Sequence, residues 1–369
     1  MKTDRGQDIR KIAIVIFDIT VRSGTERAVC NLANLLAGSL KYLVTIISVH
    51  SISGETAYNI NNAVRLHHLG LSQYDNKISR LKLYVTLINK IDQICIREKI
   101  SVILGTTHAL NCFLFFLRKK LKIIACEHLN YMSAPLFSRL IRKIVYLFLD
   151  FVVVLTLADA KYYSSYKNIR VIPNSLSFVP NKRSELINKK ILAVGRLTHQ
   201  KGFDLLIKSV FFIKCKCEGW QIRIIGSGED EDKLKKQIKI LNLENIIEIC
   251  PPTNAIMQEY LEASIFVLSS RFEGLPMVMI EAQSCGLPIV SFDCPEGPAN
   301  IIHHNEDGLL VENGKIDKFS YALIELMDDQ EKRIQFGKKA LENVNRYKAE
   351  NVFTMWDTLF DKLFFAVEA

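Results

Sequence analysis

The feature that most narrows the fold is an alternation that runs along the whole chain: short β-branched and aliphatic runs, each followed by a stretch whose apolar positions recur at helical spacing. Runs that short and that uniformly apolar suit strands buried on both faces, and the helical stretches supply the right-handed crossovers that parallel strands need. In the first half the expected strands are Lys11–Phe17, Val44–Val49, Val64–Leu69, Ser101–Leu104, Lys122–Cys126, Phe151–Leu155 and Arg170–Ile172. The series restarts with Lys190–Val194, Gln221–Ile225, Ile246–Ile249, Ile265–Leu268, Pro288–Ser291 and Gly308–Val311. Between them Ile172-Pro173-Asn174-Ser175 breaks regular structure, and a polar stretch continues to Asn188, which marks a linker. The 369 residues exceed the roughly 250 to 300 at which one hydrophobic core stops growing. An α/β protein of two doubly wound domains, residues 1–178 and 179–350, is therefore expected, with ligands bound in a cleft outside the carboxyl ends of the strands. Val352, Met355, Trp356, Leu359, Phe360 and Leu363 recur at helical spacing, so residues 351–369 are expected to form a helix that packs back toward the first domain.

Charge is unevenly distributed. Up to Pro180 there are 24 Lys and Arg against 11 Asp and Glu, a net +13, whereas the remainder carries 24 against 28, a net −4. A basic first half fits a polyanionic partner, nucleic acid or an anionic membrane surface, and equally a solvated lysine-rich surface. Arg139, Arg142 and Lys143 lie beside Leu136, Phe137, Leu140 and Ile141 at a spacing that puts cations on one side of a helix and apolar groups on another. Two readings remain open for that helix: a surface-binding element, or a core-facing helix with a solvated basic side. The most apolar region, Ile144 to Leu157, is interrupted by Asp150 and falls short of the roughly 20 residues that span a membrane; it reads as a helix end plus a buried strand. The nine cysteines show no disulfide-ladder or zinc-ribbon spacing, which fits a reducing cytosol. Met1 to Asp8 carries acidic residues where an export signal has none, so no export is expected.

Three loops after expected strands suit phosphate chemistry. Arg22-Ser23-Gly24-Thr25-Glu26-Arg27 opens a helix whose first-turn N–H groups can receive an anion, although a single glycine there also suits a plain tight turn. Val194-Gly195-Arg196-Leu197 with Lys201-Gly202 offers two cations able to neutralise a leaving diphosphate, or two solvated loop charges. Gly226-Ser227-Gly228 lets the backbone pass close to a ligand. The acidic run Glu229 to Asp232 contains an Asp-x-Asp spacing, but carboxylates in a helix's first turn followed by Lys233, Lys235 and Lys236 read as an ordinary solvated helix start, not a metal site. In the segment Leu268 to Val290 a buried strand ends at Ser269-Ser270-Arg271-Phe272, Glu273 and Gly274 form a loop, and Pro276 starts a helix bearing Glu281 in its second turn. Carboxylates so placed can accept hydrogen bonds from sugar hydroxyls.

This last segment resembles the retaining glycosyltransferases of family 4, whose motif is two glutamates separated by seven residues, here Glu273 and Glu281. The resemblance extends in order through Ser23-Gly24-Thr25-Glu26-Arg27, Val171-Ile172-Pro173-Asn174, Val194-Gly195-Arg196-Leu197, Lys201-Gly202, Gly226-Ser227-Gly228, Cys285-Gly286-Leu287-Pro288 and Asp307-Gly308-Leu309-Leu310-Val311. It implies the GT-B architecture of two facing Rossmann-like domains. It also implies that Arg196 and Lys201 meet the diphosphate, Glu273 the donor sugar and Glu281 the ribose, with Gly274, Leu275 and Pro276 approaching the sugar and phosphates. Gly24 matches the glycine turn facing the diphosphate, with Ser23 where the family has another glycine. His128, after Glu127, matches a position where relatives present a histidine to the reacting sugar; a structural histidine is the alternative. Cys294-Pro295-Glu296-Gly297-Pro298 matches a loop of members that build bacterial surface polysaccharides.

The implied reaction is metal-independent transfer of a hexosyl or N-acetylhexosaminyl group, with retention, from a nucleoside diphosphate sugar, expected to be UDP-linked, to a glycan acceptor. For the acceptor a lipid-linked oligosaccharide is expected, met by the basic first domain at the cytoplasmic face of an anionic membrane, with no nucleic acid involved. The rival readings are a nucleotide-sugar epimerase of the same architecture and a non-catalytic membrane- or nucleic-acid-binding protein.

Overall fold

The computed structural model describes residues 9–71, 77–128, 131, 134–295 and 297–365. Met1 to Asp8, read above for an export signal, and Glu296 lie outside the described residues. The chain divides into two compact units, Met1–Ser175 with Ala349–Ala369, and Leu176–Lys348.

In the first unit the strands are β1 (Arg10–Ile16), β2 (Tyr42–Ser48), β3 (Arg65–His68), β4 (Val102–Gly105), β5 (Lys122–Glu127), β6 (Phe151–Val154) and β7 (Ile169–Val171). They form one sheet in the order β3-β2-β1-β4-β5-β6-β7, parallel throughout. One face is covered by a core that includes Val29, Ala33 and Leu36 of the helix Gly24–Ala37. Val352, Trp356, Leu359, Phe360 and Leu363 of the C-terminal helix Ala349–Phe365 join the same core, while Met355, counted in that stripe from the sequence, is exposed. A second cluster, with Leu87, Ile91 and Cys95 of the helix Lys77–Glu98, covers the other face.

The second unit holds β8 (Lys190–Val194), β9 (Gln221–Ile225), β10 (Ile247–Cys250), β11 (Ile265–Leu268), β12 (Ile289–Asp293) and β13 (Gly308–Glu312). Their order is β10-β9-β8-β11-β12-β13, again all parallel. The sheet order reverses between β8 and β11, and at such a switch point the loops leaving the carboxyl ends diverge and open a crevice. The loops singled out in the sequence after β8, β9 and β11 all leave from that end.

The acidic run is a helix start as expected: Asp230 precedes the helix Glu231–Ile240, and Lys233 and Lys235 pair with Asp230 and Glu231. The nine cysteines are free thiols. Among the described residues no helix is long and apolar enough to cross a membrane.

Candidate functional site

The site in the second unit is built by strapping the loop after β8 to the loop after β11. Ser269 Oγ donates to the Lys201 carbonyl at 3.0 Å, the Arg271 N–H donates to the Gln200 carbonyl at 2.8 Å, and Gln200 Nε2 donates to the Phe272 carbonyl at 3.1 Å. Arg271 adds a two-pronged bridge to Asp204, 2.8 Å on each side, and a 2.8 Å bond to the His199 carbonyl. Burial works against the Asp204 charge, but the bonds and charge of Arg271 outweigh it and hold the carboxyl below its usual pKa. The approach is so close that only glycine fits at 202, where φ is +62° and a Cβ would lie 2.1 Å from the Ser269 carbonyl oxygen.

Lys201 thereby reaches Glu273. Its Nζ donates to Glu273 Oε1 at 2.6 Å, and Ser270 Oγ donates to the same oxygen at 2.6 Å. Both charged side chains are largely buried, 15% and 7% exposed, so the pair is screened far less than a surface ion pair. Glycine at 195 leaves room for the lysine stem, since a Cβ there would stand 3.3 Å from Lys201 Cδ. Arg196, next in the chain, is exposed and makes no ion pair among the described residues. Leu275 and Pro276 are buried, Gly274 is half-buried, and Pro276 immediately precedes the helix Met277–Ser284. Gly297 packs on this loop, a Cβ there falling 2.7 Å from Glu273 Cβ.

Glu281 lies in the helix Met277–Ser284 that follows this loop. It is fully buried, and its Oε2 accepts a 3.0 Å bond from the Tyr260 hydroxyl. The structure therefore joins Lys201 to Glu273 and gives Glu281 a separate partner that no sequence pattern announced.

Gly226 and Gly228 have a need internal to the protein. A Cβ at 226 would lie 1.9 Å from the Gly195 carbonyl oxygen, and one at 228 would lie 2.4 Å from that of Leu197. Bonds from Gly195 N–H to the Ile225 carbonyl and from Leu197 N–H to the Ser227 carbonyl run the two loops side by side. Close packing of the two loop backbones is what these glycines provide within the protein.

Gly24 and His128 belong to the first unit. Gly24 opens its helix with an ordinary negative φ, and a Cβ there would meet nothing within 4 Å. Nothing in the protein's own packing requires glycine at that helix N-terminus. Ser23 precedes it and donates its hydroxyl to the Glu26 carboxylate. His128, at the end of β5, lines a small pocket with Cys126, Leu155, Pro173 and Asn174. Desolvation lowers its pKa to about 4, so the ring is neutral near pH 7, and its enclosed Nδ1 has no hydrogen-bond partner among the described residues.

Beside it Glu127 is buried in a polar cluster that the sequence did not reveal. Asn111 Nδ2 donates to Glu127 Oε1 at 3.0 Å, the Tyr146 hydroxyl donates to the same oxygen, and Arg142 stands 3.5 Å from Oε2. Burial still raises the carboxyl's pKa above the ordinary range.

Comparison with known proteins agrees with this architecture. Residues 179–343 match the family described as Glycosyl transferases group 1. The amylovoran biosynthesis glycosyltransferase AmsD of Erwinia amylovora is 32% identical over 364 residues, covering 95% of this chain and 99% of that protein. An α-1,4-N-acetyl-D-galactosaminyltransferase of Campylobacter jejuni, named for a diphosphoundecaprenol-linked GalNAc acceptor, is 27% identical and covers 94% and 97%. In structure the chain resembles a TarM variant of S. aureus crystallised with UDP, α-GlcNAc-glycerol and Fondaparinux, with a TM-score of 0.81, 16% identity, and 96% and 100% of the two chains covered. The fold is GT-B, and the chain belongs to the group 1 glycosyl transferases.

Proposed function

We propose that this group 1 glycosyl transferase moves a hexosyl or N-acetylhexosaminyl group, with retention and without a metal, from a UDP-sugar to a lipid-linked glycan acceptor. The setting is bacterial surface polysaccharide assembly, such as O-antigen, capsule or lipopolysaccharide, at the cytoplasmic face of the membrane. The observation that carries the donor half is the buried Lys201–Glu273 pair at 2.6 Å, with Ser270 on the same carboxylate oxygen. It sets an ammonium and an acceptor-only carboxylate side by side, the two functions needed for a diphosphate and a sugar hydroxyl. The acceptor half is supported by the basic first unit and by the undecaprenol-linked acceptor named for the Campylobacter relative, and the polysaccharide setting by the Erwinia amylovoran enzyme.

In this reading the sugar C1–O bond breaks with its electron pair going to the diphosphate, and a new C1–O bond forms to the acceptor hydroxyl, whose proton leaves with the diphosphate. Lys201, held in a poorly screened site, and exposed Arg196 meet the growing negative charge. Glu273, fixed by Ser270, accepts from sugar hydroxyls and favours the positive character at C1. Glu281, with one oxygen held by Tyr260, is assigned to the ribose hydroxyls, and Gly274, Leu275 and Pro276 to the close backbone approach. Gly24 is assigned to the diphosphate, because its open helix N-terminus has no packing reason for glycine. His128, neutral near pH 7, is suited to a hydrogen bond with a sugar hydroxyl and not to neutralising phosphate.

The test is a panel of nucleoside diphosphate sugars presented to the purified chain, with and without undecaprenyl-diphosphate glycans. Transfer from a UDP-hexose or UDP-N-acetylhexosamine that needs the acceptor is expected, with no divalent cation added and with EDTA present. Conversion of the donor alone to its epimer, or dependence on added metal, would refute the reading.

A further inference from the structure

A helix that joins a folded protein normally turns its apolar arc inward, and the helix Leu136–Val145 does the reverse. At about 100° per residue, Leu136, Phe137, Leu140 and Ile144 fall within one arc roughly a quarter of the helix wide. Together with Leu147 and Phe148 of the following 3₁₀ turn they are between 56% and 74% exposed. Arg142, on the other side of the helix, is 1% exposed.

The inversion has an identifiable anchor. Arg142 Nη2 donates to the Tyr131 carbonyl at 3.1 Å, its guanidinium lies 3.9 Å over the Tyr131 ring, and Glu127 is 3.5 Å away. Turning the helix to bury its leucines would withdraw the cation from a buried carboxylate, so the polar cluster fixes the apolar arc outward.

The arc is continued and bordered by cations. Phe148 packs on Phe115 at 5.8 Å, and Phe115 on exposed Phe116 at 5.6 Å, which joins the helix to the basic turn Arg118-Lys119-Lys120. Arg139 and Lys143 flank the arc on the helix itself. Nearby acids are already engaged: Glu127 by Arg142, Asp92 by Lys120, and Asp150 by Lys122. Lys119 and Lys143 are exposed and make no ion pair among the described residues.

We propose that residues 136–148, with the turn at 115–120, form a monotopic docking surface that inserts its apolar arc into an anionic lipid leaflet while the flanking cations meet the headgroups. An arc of leucine, isoleucine and phenylalanine bordered by lysine and arginine matches the apolar-below, anionic-above chemistry of such a leaflet. A protein partner would supply a matching apolar groove but give no reason for the surplus of cations. The inference rests on the membrane-face reading of the acceptor, but not on the chemistry assigned to the donor.

The experiment is co-sedimentation of the full chain with phosphatidylcholine vesicles with and without phosphatidylglycerol. Wild type should bind the anionic vesicles more tightly than the neutral ones. Combined Phe137→Ser, Leu140→Ser and Ile144→Ser should weaken binding roughly a hundredfold or more, with an unchanged circular dichroism spectrum because these side chains touch solvent. Lys119→Glu with Lys143→Glu, which leaves the apolar arc intact, should cost about fivefold or more per cation, a loss that fades as salt is raised. Three results would overturn the proposal: no wild-type binding to either vesicle, equal binding by the serine variant, or a self-association in sedimentation velocity that the serine variant abolishes. Hydrolysis of a soluble UDP-sugar, followed in parallel, should be the same in all three proteins. A missing hydrolysis signal with intact lipid binding would fault the donor reading alone.

Discussion

A double-mutant cycle on Lys201 and Glu273 probes both the resting site and its chemistry. At 2.6 Å and an effective dielectric constant of about 20, the Coulomb attraction of the pair is roughly 6 kcal/mol before the cost of removing both charges from water. That cost takes back most of the gain in a buried pair, leaving an expected coupling of about 1–3 kcal/mol in urea unfolding of the full chain. Glu273→Gln keeps the shape and can still accept from Ser270, so it should be the milder single change. Lys201→Met leaves a carboxylate that is 7% exposed with one hydroxyl donor, and should cost more. In catalysis each single variant should lower kcat by about a hundredfold, the loss typical of one preorganised group at a charged transition state. The double variant should fall little below the worse single one, because residues that act as a unit lose their function together. Rates near wild type in either single variant would show that the pair is only a structural ion pair, and additive losses with no coupling in stability would show that the two groups do not act as a pair.

Arg142→Met should destabilise the first unit by about 3–5 kcal/mol, since it strands a buried carboxylate, and adding Glu127→Gln should recover much of that loss in thermal unfolding. His128 has its pKa lowered to about 4 from 6.5, so the unfolded chain binds its proton more readily than the folded one. The stability that goes with keeping this ring neutral is therefore fully present above pH 6.5 and lost as pH falls toward 4; His128→Gln should flatten that decline by roughly 3 kcal/mol, and an unchanged pH profile would contradict the burial of the ring. The glycines separate cleanly: Gly202→Ala should unfold the Lys201 loop and lower Tm, whereas Gly24→Ala should leave stability within about 0.5 kcal/mol while raising KM for the UDP-sugar. Equal Tm losses in the two variants would remove the argument that Gly24 serves a ligand.

Both sheets were legible because a strand buried on both faces leaves an unbroken apolar run; even the short β7, Ile169–Val171, lies one residue from its expected place. The site was legible only in part. The spacing of Glu273 and Glu281 is a local pattern, and so survives in the sequence. Ser270 on Glu273 is equally local, but a serine beside a loop carries no signal of its own. The straps that position Lys201 have none either: Arg271 and Asp204 are 67 residues apart, and Ser269 and Lys201 are 68. Gly226 and Gly228 show a different limit, since close approach to a ligand and close approach to another backbone demand the same missing Cβ.

The helix Leu136–Val145 shows why an amphipathic stripe cannot by itself choose its own side. Periodicity records that leucines and cations occupy opposite sides, and it is silent on which side the rest of the chain will cover. Here the choice is made by Glu127 at the end of β5, fifteen residues before Arg142 in the sequence. Its carboxylate is already surrounded by Asn111 and Tyr146, and Arg142, the cation that pairs with it among the described residues, is buried as well. A buried charge left alone costs more than several apolar side chains left in water, because the latter lose only the gain of burial while the former loses its solvation outright. If the helix faces a lipid leaflet in use, even that smaller cost vanishes. The same arginine then does two things at once: it neutralises the carboxylate beside His128, and it keeps the apolar arc turned outward, so Arg142→Met should weaken vesicle binding along with stability whereas Phe137→Ser should weaken vesicle binding alone.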